Sequence, residues 1–358
     1  MSDPLFTPIT LGALKLSNRI AMSPMTRDRA GPDDVPNDMM VEYYRQRASA
    51  GLIVTEGVQP SAVGKGYWRT PGIYSKAQID GWARVAEAVH AEGGQIVMQI
   101  MHCGRVVVAA NRGYEADVIA PSALPCPDKV PGPDGVPAET AMPRALAAGE
   151  LPALAEEFAT AARNARAAGI DGIELHASSG YLINQFLNPA SNHRTDDFGG
   201  SPENRIRFPV MVLKALSDAI GADRVGLRFS PGNPYNGMDV SDPAATFIPL
   251  LKATAPLNLA YLHVLDMGLA DLDTLAMVRD HSTTPIIVNN MLTAEAGRAL
   301  IDAGRADAVS FGRPFIANPD LVARLQVGAP LAKPDYTKLY TGEAQGYTDY
   351  PALDATAG

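Results

Sequence analysis

Eight short apolar runs recur along the chain, each followed by a stretch with helical spacing, and that alternation limits the folds open to it. The runs are NRIAMSPM (18–25), GLIVTEGV (51–58), QIVMQIMH (95–102), GIDGIELHA (169–177), RVGLRFSP (224–231), YLHVLD (261–266), PIIVNN (285–290) and DAVSFGR (307–313). Between them Ile79, Trp82, Ala86 and Val89 repeat at helix spacing behind Ser75 and Gln78, which are placed as a capping box. Leu154, Phe158, Ala161 and Ala165 repeat in the same way. Eight strands alternating with helices is the count of a (β/α)8 barrel. A doubly wound sheet is the rival arrangement, but it offers no reason to stop at eight. No composition break marks a second domain, so a single barrel domain over residues 1–358 is expected. Two long interruptions follow strand ends: the proline-rich 103–150, expected to be a lid inserted after the third strand, and 178–204, which contains NHRTDDFGGSPENR. Loops of such length in a compact fold are usually functional or disordered.

The 358 residues are 46% hydrophobic and 19% charged, enough for a sizeable core. A net charge of −9 argues against nucleic acid or an anionic membrane surface as a partner. Cys103 and Cys126 fit neither a disulfide framework nor a metal cluster. The N-terminus has no signal-peptide pattern, and no apolar run reaches the roughly 18 residues that span a bilayer. A cytoplasmic enzyme acting on small molecules, as monomer or homodimer, is the expectation.

Polar residues collect at the ends of the expected strands, the face on which barrel enzymes build their sites. They are Thr26 and Arg27, Glu56 and Gly57, Gln99 and His102, His176, Arg228 and Ser230, Asn289 and Asn290, and Gly312 and Arg313. The stretch LHASSGY (175–181) adds an imidazole, two hydroxyls and a phenol within a few residues. Buried polar tips need partners, so such a cluster suggests a site. Every lysine lies in a loop or on a helix, which removes a Schiff-base aldolase. There is no G-x-S-x-G elbow and no G-x-G-x-x-G fingerprint. A metal-dependent hydrolase, with His102, His176 and a few acids, remains an alternative, as does a flavin barrel that senses or stores. Backbone N–H groups near Asn290, Gly312 and Arg313 suit a phosphate, the recurring site after the last two barrel strands. Arg228, inside an apolar strand, needs an anionic partner: either the pyrimidine edge of a reduced flavin, which Gln99 also suits, or Glu174.

Several long motifs then resemble the Old Yellow Enzyme family of flavin-dependent ene-reductases. They are NRIAMSPMTR, YYRQRASAGLIVTEG, GYWRTPGIYS, QIMHCGR, HASSGYLINQFLNPASNHRTDDFGGSPENRIRF, LRFSP, FGRPFIANPDL and GYTDYP, covering nearly the whole chain. The resemblance implies a barrel holding FMN non-covalently, with NADPH or NADH as hydride donor. It implies ping-pong reduction of activated C=C bonds through flavin N5, in unsaturated aldehydes, ketones, imides and nitroalkenes. Carried over by position, Thr26 meets the flavin near O4/N5, and Pro24 and Gly57 line the ring. Gln99 and Arg228 bond its pyrimidine portion, while Asn290, Gly312 and Arg313 hold the phosphate. His176 grips the substrate oxygen, Tyr181 donates the proton, and Tyr67 and Tyr347 wall the pocket. No metal is implied.

Three positions depart from the family pattern. Ser179 stands where an asparagine or histidine usually partners His176, and its shorter hydroxyl still donates one hydrogen bond. Met101 replaces a common tryptophan, which enlarges and softens one wall. VNNML lacks a glycine often found after the seventh strand; asparagine tolerates left-handed angles, so the phosphate site is expected to survive.

Overall fold

The computed structural model describes residues 3–353; residues 1–2 and 354–358, the ends of the expected domain, lie outside the described residues. The short strands β1 (Ile9–Leu11) and β2 (Leu14–Leu16) come first and pair antiparallel. Next come β3 (Ile20–Met22), α1 (Asp38–Arg45), β4 (Leu52–Val58), α2 (Lys76–Ala91) and β5 (Ile96–Ile100). The long insertion carries four two-residue strands, β6 (Ile119–Ala120), β7 (Val130–Pro131), β8 (Pro137–Ala138) and β9 (Arg144–Ala145). After it run α3 (Leu151–Ala167), β10 (Gly172–Ala177), α4 (Leu182–Leu187), α5 (Pro202–Arg205), α6 (Arg207–Ile220) and β11 (Val225–Phe229). Then follow α7 (Pro243–Thr254), β12 (Tyr261–Leu265), α8 (Thr274–His281), β13 (Ile286–Asn289) and α9 (Ala294–Asp302). Then come β14 (Ala308–Phe311), α10 (Arg313–Ala317) and α11 (Leu321–Val327).

The eight strands β3, β4, β5 and β10 to β14 close into a barrel, and every pair within it is parallel. Each expected strand is present and somewhat shorter than its apolar run. The Ser75 and Gln78 capping box forms as expected at the start of α2. Between Val54 and Gly57 the β4–β5 register shifts, a bulge that turns the end of β4 on the rim.

The N-terminal mouth of the barrel is plugged by the β1–β2 hairpin. Leu11, Leu14 and Leu16 pack on Ala21, Leu52, Val54, Val97, Ala260, Ile287 and Ala308. Gly12 makes its tight turn possible: φ is 57°, and a Cβ there would stand 2.2 Å from the Asp223 carbonyl oxygen. With that end closed, the opposite end is where a ligand enters.

Residues 103–150 are structured. β6 pairs with β9 and β7 with β8, and Cys103, Val106, Val107, Val108, Cys126 and Val130 cluster with Met101 and Tyr181. Both cysteines are buried and free, and burial pushes their thiols up, Cys103 to about 12. At the other side of the rim, buried arginines tie down the C-terminal segment. Arg27 donates to the Leu339 and Gly346 carbonyls, and Arg47 to those of Phe315, Ile316 and Tyr347. Among the described residues no helix is long and apolar enough to cross a membrane.

Candidate active site

Above the plug the barrel interior becomes polar. Strand alternation sends Glu174 and His176 of β10 inward together, and Tyr261 and His263 of β12 likewise. Glu174 accepts from Gln99 Nε2 at 2.8 Å and Tyr261 Oη at 3.1 Å, and lies 2.8 Å from His263 Nδ1. Arg228 donates to His263 Nε2 at 2.6 Å and to Asn289 Oδ1 at 3.2 Å. Since an arginine N–H occupies Nε2, His263 is the neutral tautomer that gives its Nδ1 proton to Glu174. Burial, then the Arg228 charge, pushes His263 down to about 4. Burial pushes Glu174 the other way, but His263, Arg228 and Gln99 outweigh it and hold the carboxyl below its usual range.

Arg228 is therefore a buried cation without a carboxylate partner among the described residues; Glu174 is reached only through His263. The direct ion pair that the sequence leaves open is not formed. Gln99 Oε1 and the hydroxyl of half-buried Thr26 also lack protein partners among the described residues. Those groups form one set at the inner rim. Gly57 is close by, its hydrogen side filled by Met101, whose Cε would stand 2.6 Å from an added Cβ. At the outer rim the exposed Arg313 pairs with no acid among the described residues, and its guanidinium lies 5.8 Å from the Tyr336 ring centre. Half-buried Asn290 opens the turn after β13, and Gly312 opens α10. Its neighbour Met291, not an asparagine, takes the left-handed angle, φ 43°. We expect Met291→Gly to stabilise the folded protein by about 1 kcal/mol, read from the urea midpoint, because glycine carries no penalty there.

His176 and Tyr181 stand together beside this set, His176 paired in register with Arg228 across β10 and β11. Their ring centres are 5.0 Å apart at 83°. The Ser178 backbone N–H donates to His176 Nδ1 at 3.2 Å, which leaves the Nε2 proton free to donate. Burial, then the Arg228 charge, pushes His176 down to about 3, so the ring is neutral near pH 7. The Tyr181 phenol lies 2.9 Å from the Tyr67 phenol, and burial keeps it well above its usual range. Met101 packs in the cluster of Tyr181, with Tyr67 against it, as a wall residue would.

Tyr347 does not wall this pocket. It is fully buried, stacked on Tyr43 at 4.1 Å, with Arg27 and Arg29 over its ring. Arg27 and Arg29 draw this ring inward as their aromatic partner, while Arg47 lies over Tyr43 and holds the Tyr347 carbonyl. Tyr340 on the same segment is instead exposed, as is Tyr235 after β11. His102 also turns away, stacked over Phe158 of α3 at 6.3 Å, and Glu56 accepts from the Arg27 backbone and the Tyr44 phenol. Among the described residues no three His, Cys, Asp or Glu side chains gather as metal ligands. His263, Asn233, Tyr235 and Tyr340 escaped the sequence reading; only His263, two residues from Tyr261 in an apolar strand, carried a signal there.

The family model for NADH:flavin oxidoreductase / NADH oxidase matches residues 4–332. The chain belongs to that family. A probable flavin mononucleotide-dependent alkene reductase of Leishmania infantum is 42% identical, over 98% of both chains. The 12-oxophytodienoate reductase 2 of Arabidopsis thaliana is 37% identical over 99% of this chain and 97% of its own. Among solved structures, the Old Yellow Enzyme homologue of Zymomonas mobilis superposes with TM-score 0.94 at 41% identity, covering 98% and 99% of the two chains. Morphinone reductase in complex with tetrahydroNAD gives TM-score 0.94 at 42% identity, covering 99% of each. This member of the family is thus a nicotinamide-dependent flavin oxidoreductase on a (β/α)8 barrel of the Old Yellow Enzyme type.

Proposed function

We propose that the chain reduces activated C=C bonds, in α,β-unsaturated aldehydes, ketones, imides and nitroalkenes, at the expense of NADPH or NADH. The observation that carries this reading is the neutral His176 with a free Nε2–H, level with the Arg228 cation and beside the protonated Tyr181. The residues fit FMN: Gln99 and Arg228 toward its pyrimidine edge, Thr26, Pro24 and Gly57 along the ring, and Asn290, Gly312 and Arg313 at the phosphate. When bound, FMN supplies the hydride. His176 donates to the substrate's carbonyl or nitro oxygen and stabilises the charge that develops there, as an oxyanion hole does. Tyr181 gives a proton to the α-carbon, and Tyr67, half-buried and hydrogen-bonded to it, is placed to return one. Residues 103–150 act as the lid, carrying most of the apolar cluster that covers Tyr181. Relatives named for an alkene, an oxophytodienoate and morphinone support a conjugated carbonyl substrate.

Anaerobic titration tests the assignment. Protein loaded with FMN should bleach on addition of NADPH and regain its absorbance with cyclohexenone. Protein that takes up no FMN, or that fails to bleach, overturns it. A pH series adds a second check. His176 is held at about 3 and Tyr181 well above 10, so both keep the required form across roughly pH 5–9. The rate of re-oxidation by cyclohexenone should be flat over that range; a fall centred near pH 6.5 would show His176 titrating as an ordinary histidine.

A further inference from the structure

Ser179 stands where an asparagine or histidine usually partners His176, yet the structure supplies a side-chain amide from another element. Asn233, in the turn after β11, places Nδ2 3.3 Å from Ser179 Oγ. Its orientation is fixed: Asn233 Oδ1 accepts the Tyr235 backbone N–H at 3.1 Å, so the amide nitrogen is the end that faces Ser179. The turn itself is pinned to the end of β10. Asn236, buried, donates from Nδ2 to the Ser179 carbonyl at 2.8 Å. A Cβ on Gly180 would stand 2.5 Å from Asn236 Cβ, so the two segments are in contact.

A second set of contacts meets the same hydroxyl from behind. Ser178 Oγ lies 2.5 Å from Ser230 Oγ and 3.1 Å from Ser179 Oγ. Either oxygen of each hydroxyl pair can be the donor, and the relay in which Ser230 donates to Ser178 and Ser178 to Ser179 fills both acceptor positions of the Ser179 oxygen, one from Ser178 and one from Asn233. Its own proton is then the only hydrogen-bonding capacity left, and the donors behind it polarise it. We propose that Ser179 and Asn233 together form the second donor of the substrate clamp: the Asn233 amide holds the Ser179 hydroxyl, and that hydroxyl donates to the substrate oxygen beside His176. Asn233 is a positioning residue, acting through Ser179. The proposal rests on the reductase reading above.

The test uses FMN-loaded protein and two readouts besides folding: binding of 4-chlorophenolate, seen as a long-wavelength charge-transfer band with oxidised flavin, and the rate of re-oxidation by cyclohexenone. A hydrogen bond to a charged oxygen makes a contribution of about tenfold or more. Asn233→Ala should weaken phenolate binding and slow re-oxidation by about tenfold each, with FMN uptake and thermal stability unchanged. Asn233→Asp keeps the acceptor for the Tyr235 N–H but removes the donor and competes for the Ser179 proton. It should cost more, about 10²-fold, whereas a merely structural Asn233 would tolerate it. Asn233→Ala combined with Ser179→Ala should be no worse than Ser179→Ala alone. Ser179→Asn, suited to the left-handed φ of 56° at that position, should restore activity in the Asn233→Ala background. Loss within about twofold for both Asn233 variants, or multiplied losses in the double variant, overturns the proposal while leaving the reductase reading standing. A parent protein that binds no phenolate and is not re-oxidised overturns both.

Discussion

Tyr181→Phe should slow re-oxidation of the reduced protein by cyclohexenone about 10²–10⁴-fold, the usual worth of a positioned general acid. Reduction by NADPH should stay within about threefold of the parent, since no proton on the substrate side is moved in that half-reaction. The expectation follows from place and state. The phenol is buried against Met101 and Cys103, bonded to Tyr67, and held in its protonated form by burial. Phenylalanine keeps the ring that packs edge-on to His176, so the clamp geometry survives and only the proton is lost. Stopped-flow absorbance separates the half-reactions. Equal slowing of both would show that Tyr181 shapes the pocket for either ligand instead of donating a proton. A nitroalkene whose reduced form is a stable anion should be far less affected, because it can acquire its proton from water later.

The barrel is legible in the sequence for a physical reason. Its parallel strands are covered on both faces, so they read as nearly unbroken apolar runs between helix-period segments. The β1–β2 plug has strands of three residues, too short for any period to show. Site residues on strand ends, such as Gln99, His176 and Arg228, are legible because a polar side chain there interrupts an apolar run. Those on turns are not. Asn233 and Tyr235 sit in a stretch whose prolines, glycines and asparagines read as an ordinary turn, and only the fold brings it to Ser179. Tyr340 and Tyr347 differ in role through packing alone: Arg27, Arg29 and Arg47 draw one ring under the rim and leave the other facing outward. The left-handed residue after β13 shows the same limit, since sequence favours asparagine there and the chain places Met291 instead.

Arg228→Leu should slow reduction by NADPH about 10²–10³-fold, the cost of removing one fixed group that stabilises charge in a water-excluded site. On the proposed reading the ring set against Arg228 gains negative charge when it accepts hydride, and among the described residues no other cation joins the inner set. Burial already pushes the Arg228 guanidinium below its usual range, which marks a charge kept out of water at a cost and so kept for a partner. Within the protein that partner is incomplete: His263 is neutral and Asn289 offers only an amide oxygen. Leucine also strands the anion of Glu174, one residue further in, so the variant should lose stability as well as rate. Arg228→Lys separates the two effects. It restores a charge, and with it the balance against Glu174, but not the planar fork that reaches His263 and Asn289 together. We therefore expect the lysine variant to fold with near-parent stability, to take up FMN, and to recover part of the lost rate, with a midpoint potential between those of the parent and the leucine variant. If the leucine variant keeps the parent's potential while its thermal stability falls, Arg228 serves the barrel's polar layer alone, and the charge on the reduced ring is met elsewhere.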